Sequence, residues 1–510
     1  MFDELLALFT YKENEPLIFT NLLFWYMLGG IMLLYQFIHS RIKVRNLILM
    51  LFSVYFYYLS SGVFFALLIF TTVFDYYLGN KIYESESDST KKFLIALSVT
   101  SNLLLLGYFK YTFFIADGLN TAFNLGIEKT NYLAEILNYL LSNQIFEEKS
   151  IFLPVGISFY TFQSISYSID IYRKEIKPAE TLTDFAFFVS FFPQLVAGPI
   201  VRAHDFIPQI YKPYELSEED YGRAIFLIIN GLVKKVFISD YISINFVDRV
   251  FLEPANYEGF ATLMAFYGYA IQIYCDFSGY TDMAIGLALL LGFKLNLNFN
   301  SPYKALDITD FWRRWHISLS TWLRDYLYVP LGGNRHGNLR TYINLFLVML
   351  LGGLWHGAAW RFVVWGALHG IALAVHKVWM GLTKQNPREP KEHSMFYKLV
   401  MGFITFHFVC YCWIYFRAVD IQTAHDMIWR VLFETNINQV WPVLSEYSNP
   451  LSMILFGFVM HWLPSEWKQL AKTQFTAVPD IAKAIIIAAV ILITFQVKTA
   501  EVQPFIYFNF

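Results

Sequence analysis

Charged side chains are scarce in this sequence. Asp, Glu, Lys and Arg make up 15% of the 510 residues, whereas 56% are hydrophobic and 19% are aromatic. Soluble globular domains carry about 25% charged residues, so this composition excludes an ordinary soluble protein and indicates an integral membrane protein. The formal net charge of -2 gives no basic excess. We therefore expect no nucleic-acid partner, and an anionic ligand would need a local cluster of cations.

Cysteine is equally scarce. The chain has three, Cys275, Cys410 and Cys412, all in apolar sequence. So few cysteines supply neither a disulfide framework nor a zinc site, and we interpret them as small core residues. No segment repeats at a fixed period either. This absence gives no support to a transporter built from inverted repeats.

Long apolar runs, in contrast, occur along the whole chain. The first, residues 17–38, is longer than the roughly 7 to 15 residues of a signal-peptide core. Arg41, Lys43 and Arg45 follow it, so the positive-inside rule predicts a first transmembrane helix with an external N-terminus and a cytoplasmic loop.

Further apolar runs predict an all-α, polytopic bundle. With the first they predict about 11 to 14 transmembrane or re-entrant segments, because several are shorter than the roughly 20 residues of a simple span. They lie at residues 46–59, 62–78, 93–115, 151–171, 185–196, 223–238, 260–274, 283–293, 343–354, 362–378, 401–416, 451–463 and 481–494.

Two aspartates interrupt apolar sequence around residue 280. Asp276 and Asp282 lie on either side of Ser278-Gly279, and the glycine makes a continuous helix doubtful. One interpretation is structural: each carboxylate caps a helix or pairs with an arginine. The alternative is functional, with a carboxylate that orients a histidine.

A block rich in tryptophan and arginine covers residues 310–325. With Thr309 or Asp310 as the N-cap, the aromatic spacing predicts one amphipathic helix; its apolar face would contain Trp312, Trp315, Leu319 and Trp322. Arg313, Arg314 and Arg324 can either anchor this helix at the headgroup interface or bind phosphate groups through their guanidinium donors.

Two histidines are candidates for chemistry. His316 lies in the predicted helix, and His356 lies in a segment that carries no charge from Thr341 to Trp360. An ionisable residue at membrane depth is a functional-site hypothesis by default. Metal or haem ligation lacks partners at ligand spacing, and hydrogen bonding to the backbone is a purely structural possibility. The third interpretation of the two histidines is acid–base chemistry, since a desolvated imidazole stays neutral and can accept a hydroxyl proton.

The motifs together resemble the membrane-bound O-acyltransferase (MBOAT) family. The resemblance is strongest to the bacterial alginate O-acetylase subgroup, which is related to the D-alanyl transfer protein of teichoic acid synthesis. It rests on Leu153-Pro-Val-Gly-Ile-Ser-Phe-Tyr-Thr-Phe-Gln163, Phe191-Phe-Pro-Gln-Leu-Val-Ala-Gly-Pro-Ile200, Cys275-Asp-Phe-Ser-Gly-Tyr280, Phe311-Trp-Arg-Arg-Trp-His-Ile-Ser-Leu-Ser320 and Gly353-Leu-Trp-His-Gly357.

The resemblance implies a single membrane domain around a central tunnel. Residues 1–150 would form N-terminal helices, 151–380 the catalytic core, and 381–510 C-terminal helices. It implies an enzyme of the bacterial inner membrane that moves an acetyl group from a cytoplasmic thioester, such as acetyl-coenzyme A, to an exported, alginate-like polysaccharide. A periplasmic SGNH-type acetyltransferase would be its partner, and no metal is expected.

The resemblance also implies roles for single residues. His356 would be the general base, and His316, across the tunnel, would orient the donor or stabilise the oxyanion. From the residues themselves, the candidates for the surroundings of the histidines or for donor binding are Trp355, Asp276, Arg313, Arg314, Arg324 and Asn334.

The aromatic ending from Pro504 to Phe510 has two interpretations. Physically it is an interfacial anchor, with Tyr and Phe at headgroup level. It also resembles an ending found in envelope-polymer acylation systems, and this implies that Tyr507 reaches the tunnel and carries the acyl group. The alternative for the whole chain is a transporter or polysaccharide-export component in which the histidines and arginines line a substrate path.

Overall fold

The computed structural model describes residues 9–12, 15–142, 146–383 and 394–497. All regular secondary structure in these ranges is helical, which confirms the predicted all-α class. The first helices are α1 (Leu22–Ile38), α2 (Ile42–Ser61), α3 (Phe65–Glu84), α4 (Asp88–Phe123), α5 (Tyr132–Leu141), α6 (Ile157–Tyr172), α7 (Leu182–Ser190), α8 (Phe192–Leu195), α9 (Ala203–Ile210), α10 (Glu218–Leu232) and α11 (Asp248–Leu252).

The second half of the chain continues with helices of very different lengths. They are α12 (Gly259–Leu290), α13 (Ile308–Arg314), α14 (Ile317–Leu323), α15 (Gly337–His356), α16 (Trp360–Leu382), α17 (Met395–Arg417), α18 (Ile421–Phe433), α19 (Val440–Glu446), α20 (Ser448–Trp462), α21 (Ser465–Thr476) and α22 (Asp480–Val497). Stretches of π-helix extend α10 over Val233–Asp240 and α14 over Arg324–Tyr328.

Several helical segments are long and apolar enough to cross a membrane. In the described ranges there are four: Ile42–Glu84, Asp88–Phe123, Trp360–Leu382 and Met395–Arg417. A fifth is added if α21 and α22, which meet at an angle of 113°, form one bent span. The membrane class is thus confirmed, while the higher number of embedded segments and the central tunnel stay predictions.

The three cysteines are buried, as their apolar surroundings predicted. They belong to one hydrophobic core that extends from Leu17 to Ile454. Helix α12 passes through this core with nearly all of its residues buried.

The expected helix break at Ser278-Gly279 is wrong. Residues 259–290 form one helix, so the two apolar runs predicted there as separate segments are parts of a single element. A Cβ atom on Gly279 would lie 2.8 Å from the carbonyl oxygen of Gly231. The glycine therefore allows α10 and α12 to pack closely, which is the common role of small residues between membrane helices.

The single amphipathic helix expected over the Trp-Arg-Arg-Trp block is also wrong. The chain forms α13 and α14 instead, and His316 between them has a left-handed backbone with φ of 43°. The N-cap is Asp307, whose Oδ1 accepts from the Asp310 N–H at 2.8 Å. The break is stabilised from outside the block, because Asn298 O accepts the backbone N–H of Ile317 at 2.9 Å.

Candidate active site

His356 is the last residue of α15, and α4 holds this helix end. The carbonyl groups in the last turn of a helix lack intrahelical partners. The Lys110 ammonium donates to the carbonyl oxygens of Trp355 and His356 at 2.6 and 3.0 Å. The Tyr111 hydroxyl donates to that of Leu354 at 2.7 Å. A cation is favourable at a helix C-terminus, so these contacts stabilise the end of α15 and with it the position of His356.

Aromatic rings surround the His356 imidazole, which is only 3% exposed. Its ring centroid lies 4.9 Å from that of Trp355, 5.0 Å from Trp365 on α16 and 5.3 Å from Phe416 on α17. His356 also interacts electrostatically with His316. The site is apolar, so few water molecules can compete for a proton at the imidazole.

His316 is fully buried in the break between α13 and α14. Its Nδ1 atom lies 3.2 Å from the Asn298 side-chain oxygen, and Phe277 of α12 packs edge-on against the ring at 4.7 Å. Its Nε2 atom has no hydrogen-bond partner within the described ranges. A buried ring nitrogen without a partner is available to a substrate group.

Trp355 connects the two histidines. Its ring centroid lies 6.2 Å from that of His316 and 4.9 Å from that of His356. Trp355 stacks on Phe162, which in turn stacks on Trp322 with centroids 3.8 Å apart. The structure therefore brings together His316, Trp355 and His356, residues that the sequence singled out but could not place relative to one another.

A third buried histidine was missed by the sequence reasoning. His369 on α16 is fully buried, and its Nδ1 accepts the indole N–H of Trp312 at 3.3 Å. Its ring lies 4.8 Å from Trp365, which contacts His356. The signal was available, because His369 is an ionisable residue in an apolar run, the criterion that singled out His356. Lys110 could have been found in the same way, because it is the one charged residue in the apolar run at residues 93–115.

The predicted arginines occupy different positions. Both oxygens of Asp310 accept from Arg314 Nε at 2.9 Å, so this guanidinium serves an ion pair within α13. Arg324 pairs with Asp325 at 2.6 Å. Arg313 is exposed, and it makes no hydrogen bond or ion pair with the described part of the chain.

Arg313 and Arg324 do share one groove. Together with Lys377 of α16 they line a half-open space of about 480 Å³ whose walls include Trp312 and Met349. The groove is close to the histidines: the Trp312 ring lies 5.8 Å from Trp365, and the Trp365 ring lies 5.0 Å from His356. Cations at the rim and apolar walls suit a ligand with an anionic end and an apolar arm.

The remaining predicted residues lie elsewhere. Asp276 forms a buried ion pair with Lys235 at 2.5 Å, and Asp282 pairs with Lys234 at 2.7 Å. The pairing interpretation is confirmed, with lysines in the place expected for arginines. Asn334 is exposed in the turn before α15, whereas both histidines are buried.

Two further predictions concern the C-terminus and metal ions. Tyr507 lies outside the described residues, so its role stays a prediction. Among the described residues, no group of three or more His, Cys, Asp or Glu side chains is arranged to hold a metal ion.

The chain is similar to known proteins along most of its length. Residues 181–418 match the profile described as "MBOAT, membrane-bound O-acyltransferase family". The chain is 38% identical over 439 residues to a peptidoglycan O-acetyltransferase of Helicobacter pylori, covering 81% of this chain and 78% of that protein.

Two other relatives represent neighbouring groups. The chain is 41% identical over 415 residues to a probable alginate O-acetylase of Pseudomonas syringae, covering 81% of this chain and 74% of the relative. It is 28% identical over 282 residues to a teichoic acid D-alanyltransferase of Bacillus subtilis, covering 53% and 70%.

Proposed function

This chain belongs to the membrane-bound O-acyltransferase family, and we propose that it transfers acetyl groups from cytoplasmic acetyl-coenzyme A to an exported polysaccharide. The family makes it an acyltransferase and a multi-pass membrane protein, and the resemblance to alginate O-acetylases is confirmed. The named acceptors of two relatives, peptidoglycan and alginate, are glycans. This supports a glycan acceptor here.

The observation that carries the proposal is the meeting of His316 and His356 at Trp355, beside a groove with cations at its rim. All three residues lie in the proposed catalytic core, residues 151–380. The proposed N-terminal helices, residues 1–150, contribute Lys110, which holds the end of α15. The third part of the division, residues 381–510, supplies Phe416 to the aromatic surroundings of His356.

Acetyl-coenzyme A suits the groove chemically. Guanidinium groups bind phosphate oxygens in pairs, and lysine adds a point charge. Arg313, Arg324 and Lys377 would hold the phosphate end of the donor, while the apolar walls would accept its pantetheine arm. We propose that the thioester then lies next to the histidines.

The chemistry assigned to His356 is general-base catalysis. His356 takes the proton of the acceptor hydroxyl, the oxygen attacks the thioester carbonyl carbon, and the tetrahedral intermediate collapses with cleavage of the C–S bond. The proton then passes from His356 to the leaving thiolate, which departs as free coenzyme A. General-base assistance contributes about 10² to 10⁴ in rate, and the remaining acceleration comes from positioning of the reactants in an apolar site.

Tyr507 is proposed to supply the first acceptor hydroxyl. Its acetyl ester would then be passed to a periplasmic SGNH-type acetyltransferase, which completes transfer to an alginate-like polymer. This part rests on the resemblance of the aromatic ending to other envelope-polymer acylation systems.

The test is incubation of the purified protein in detergent with acetyl-coenzyme A labelled in the acetyl group. We expect label on the wild-type protein, none on His356→Ala, and slow thioester hydrolysis without protein label in Tyr507→Phe. His425→Ala, which removes an exposed histidine of α18, is the matched control and should behave as wild type. Full labelling of His356→Ala would show that another group is the base.

A further inference from the structure

The orientation of the His316 ring is set by a side chain that the proposed mechanism does not use. Asn298 lies in the segment between α12 and α13, is fully buried, and directs its Oδ1 atom at the break that contains His316. Its backbone is tied to the same break, because Asn298 O accepts the Ile317 N–H at 2.9 Å. Asn298 is therefore hydrogen-bonded to this break through both its backbone and its side chain.

The identity of the Asn298 atom that faces His316 follows from its other contacts. The same Oδ1 accepts the backbone N–H of Ser318 at 3.1 Å and the Ser318 hydroxyl at 2.9 Å. A backbone N–H can only donate, so the atom it contacts is the amide oxygen, not the amide nitrogen. An amide flip is thereby excluded by chemistry.

The amide oxygen decides where His316 carries its proton. Because Oδ1 can only accept, its contact with Nδ1 at 3.2 Å requires a hydrogen on Nδ1. The Ser318 hydroxyl lies farther from Nδ1, at 3.5 Å, donates its hydrogen to Oδ1 and accepts the Ile200 N–H at 3.0 Å. In the neutral imidazole the other nitrogen, Nε2, then has a lone pair and no hydrogen.

From this geometry we infer that Asn298 is a positioning residue that holds His316 as a hydrogen-bond acceptor at Nε2. The inference rests on the proposed function and deepens it. With its hydrogen on Nδ1, the neutral imidazole cannot donate from Nε2 to an oxyanion, so this state of His316 does not perform oxyanion stabilisation, one of the two roles implied by the family resemblance. His316 instead accepts a hydrogen bond from a donor group of the bound substrates.

The left-handed backbone of His316 is consistent with this role. A non-glycine residue with positive φ is strained and persists only where the surroundings impose that conformation. With φ of 43°, His316 is such a residue, and Asn298 O together with Asn298 Oδ1 imposes the conformation. The strain places Nε2 in the buried site rather than along a helix face.

The charged and titratable groups around His316 are few. His356 faces it from α15, and Phe277, Phe299 and Trp355 cover other sides of the ring. On α12, Asp276 next to Phe277 is paired with Lys235. On α4, the ammonium of Lys110 is bonded to backbone carbonyls. A change in pH dependence caused at residue 298 can therefore be assigned to the histidines.

The test is the pH profile of acetyl-coenzyme A turnover by the full-length protein with Asn298→Asp and Asn298→Leu. A carboxylate still accepts from Nδ1 but makes His316 bind a proton more tightly. Because an acceptor must be unprotonated, Asn298→Asp should move the acidic limb of the kcat profile to higher pH. Asn298→Leu removes the hydrogen-bond acceptor of Nδ1. By analogy with partners that orient metal-binding histidines, we expect kcat to fall about 10- to 100-fold, with KM for acetyl-coenzyme A unchanged.

Ser318→Ala is the matched control, since it removes one donor to Oδ1 and leaves the Nδ1 contact. It should keep the position of the acidic limb. An acidic limb in Asn298→Asp that stays in place or moves to lower pH would overturn the inference, as would wild-type kcat in Asn298→Leu. If Asn298→Asp does not fold, the kcat and KM of Asn298→Leu decide. Failure of the proposed function has a different signature, namely no turnover of acetyl-coenzyme A by the wild-type protein.

Discussion

His316 and His356 are both buried next to Trp355, yet the chain holds them in different ways. His356 ends a regular helix, and its position is set through backbone carbonyls that a distant helix, α4, binds with Lys110. His316 lies in a break with a left-handed backbone, and a side chain close in sequence, Asn298, sets its ring. Helix packing thus positions the first, whereas local hydrogen bonds and strain position the second.

Substitutions of the two imidazoles themselves should have the largest effects. We expect His356→Gln to lower kcat by about 10² to 10⁴, the contribution of a general base. His316→Gln should have a smaller effect, because a glutamine oxygen can still accept a hydrogen bond. Acetyl transfer by both purified variants, with thermal unfolding as a check on folding, measures the difference. Equal losses in the two variants would contradict the separate roles.

Alanine substitutions at two adjacent glycines of α15 test the packing of α15 against α16, which positions His356. A Cβ atom on Gly353 would lie 2.3 Å from the Phe362 carbonyl oxygen, whereas one on Gly352 would meet only a Leu323 methyl group at 3.3 Å. Overpacking costs about 1 to 3 kcal/mol, so Gly353→Ala should lower both thermal stability and kcat. Gly352→Ala is the matched control. Equal stability of the two variants would show that the crossing of α15 and α16 adapts easily.

The link from α4 to the end of α15 is tested by Lys110→Met. This change keeps much of the side-chain volume but removes the ammonium from the carbonyls of Trp355 and His356. A displacement of about 1 Å can cost 10²-fold in rate, and we expect kcat to fall between about 10- and 100-fold. Lys110→Arg should recover part of the loss. An unchanged kcat in Lys110→Met would mean that aromatic packing alone holds His356.

The smallest effects should come from the groove, which lies outside the histidine pair. Arg313→Gln and Lys377→Gln each remove an exposed cation from its rim. Contacts of this kind contribute about 0.2 to 1 kcal/mol, so KM for acetyl-coenzyme A should rise about 1.4- to fivefold for each, with kcat retained. Raised salt should weaken donor binding by the wild type more than by the double variant. A KM insensitive to both changes would place the phosphate end elsewhere.

Local sequence patterns predicted some parts of the site well. The all-α membrane class follows from composition, and the cost of an ionisable group in apolar sequence singled out His356. The same criterion applied to His369 and Lys110 would have added two residues of the region. Arg313 and Arg324 were candidates either for the headgroup interface or for a phosphate-bearing ligand. They share a groove, which Arg314 does not join, and their role stays a prediction.

Helix continuity was predicted poorly: one break was expected where the helix continues, and one continuous helix was expected where the chain breaks. Gly279 suggested a break, but the helix continues because the glycine is needed for contact with Gly231. The spacing of Trp312 and Trp322 suggested one helix, but the chain breaks at His316. In each case a partner far away in sequence or outside the block decided the outcome, and a periodicity within one segment contains no information about that partner.

Amino-acid composition was enough to identify a membrane protein, and residue type was enough to single out the histidines as candidates for its chemistry. Both depend on amino-acid type: apolar side chains partition into the membrane, and imidazole is the group that can accept a proton there near neutral pH. The hydrogen on Nδ1 of His316, the contacts that hold His356, and the meeting of both histidines at Trp355 became visible from the folded structure alone. These features depend on distances between groups in different segments of the chain, and such distances arise only when those segments pack together.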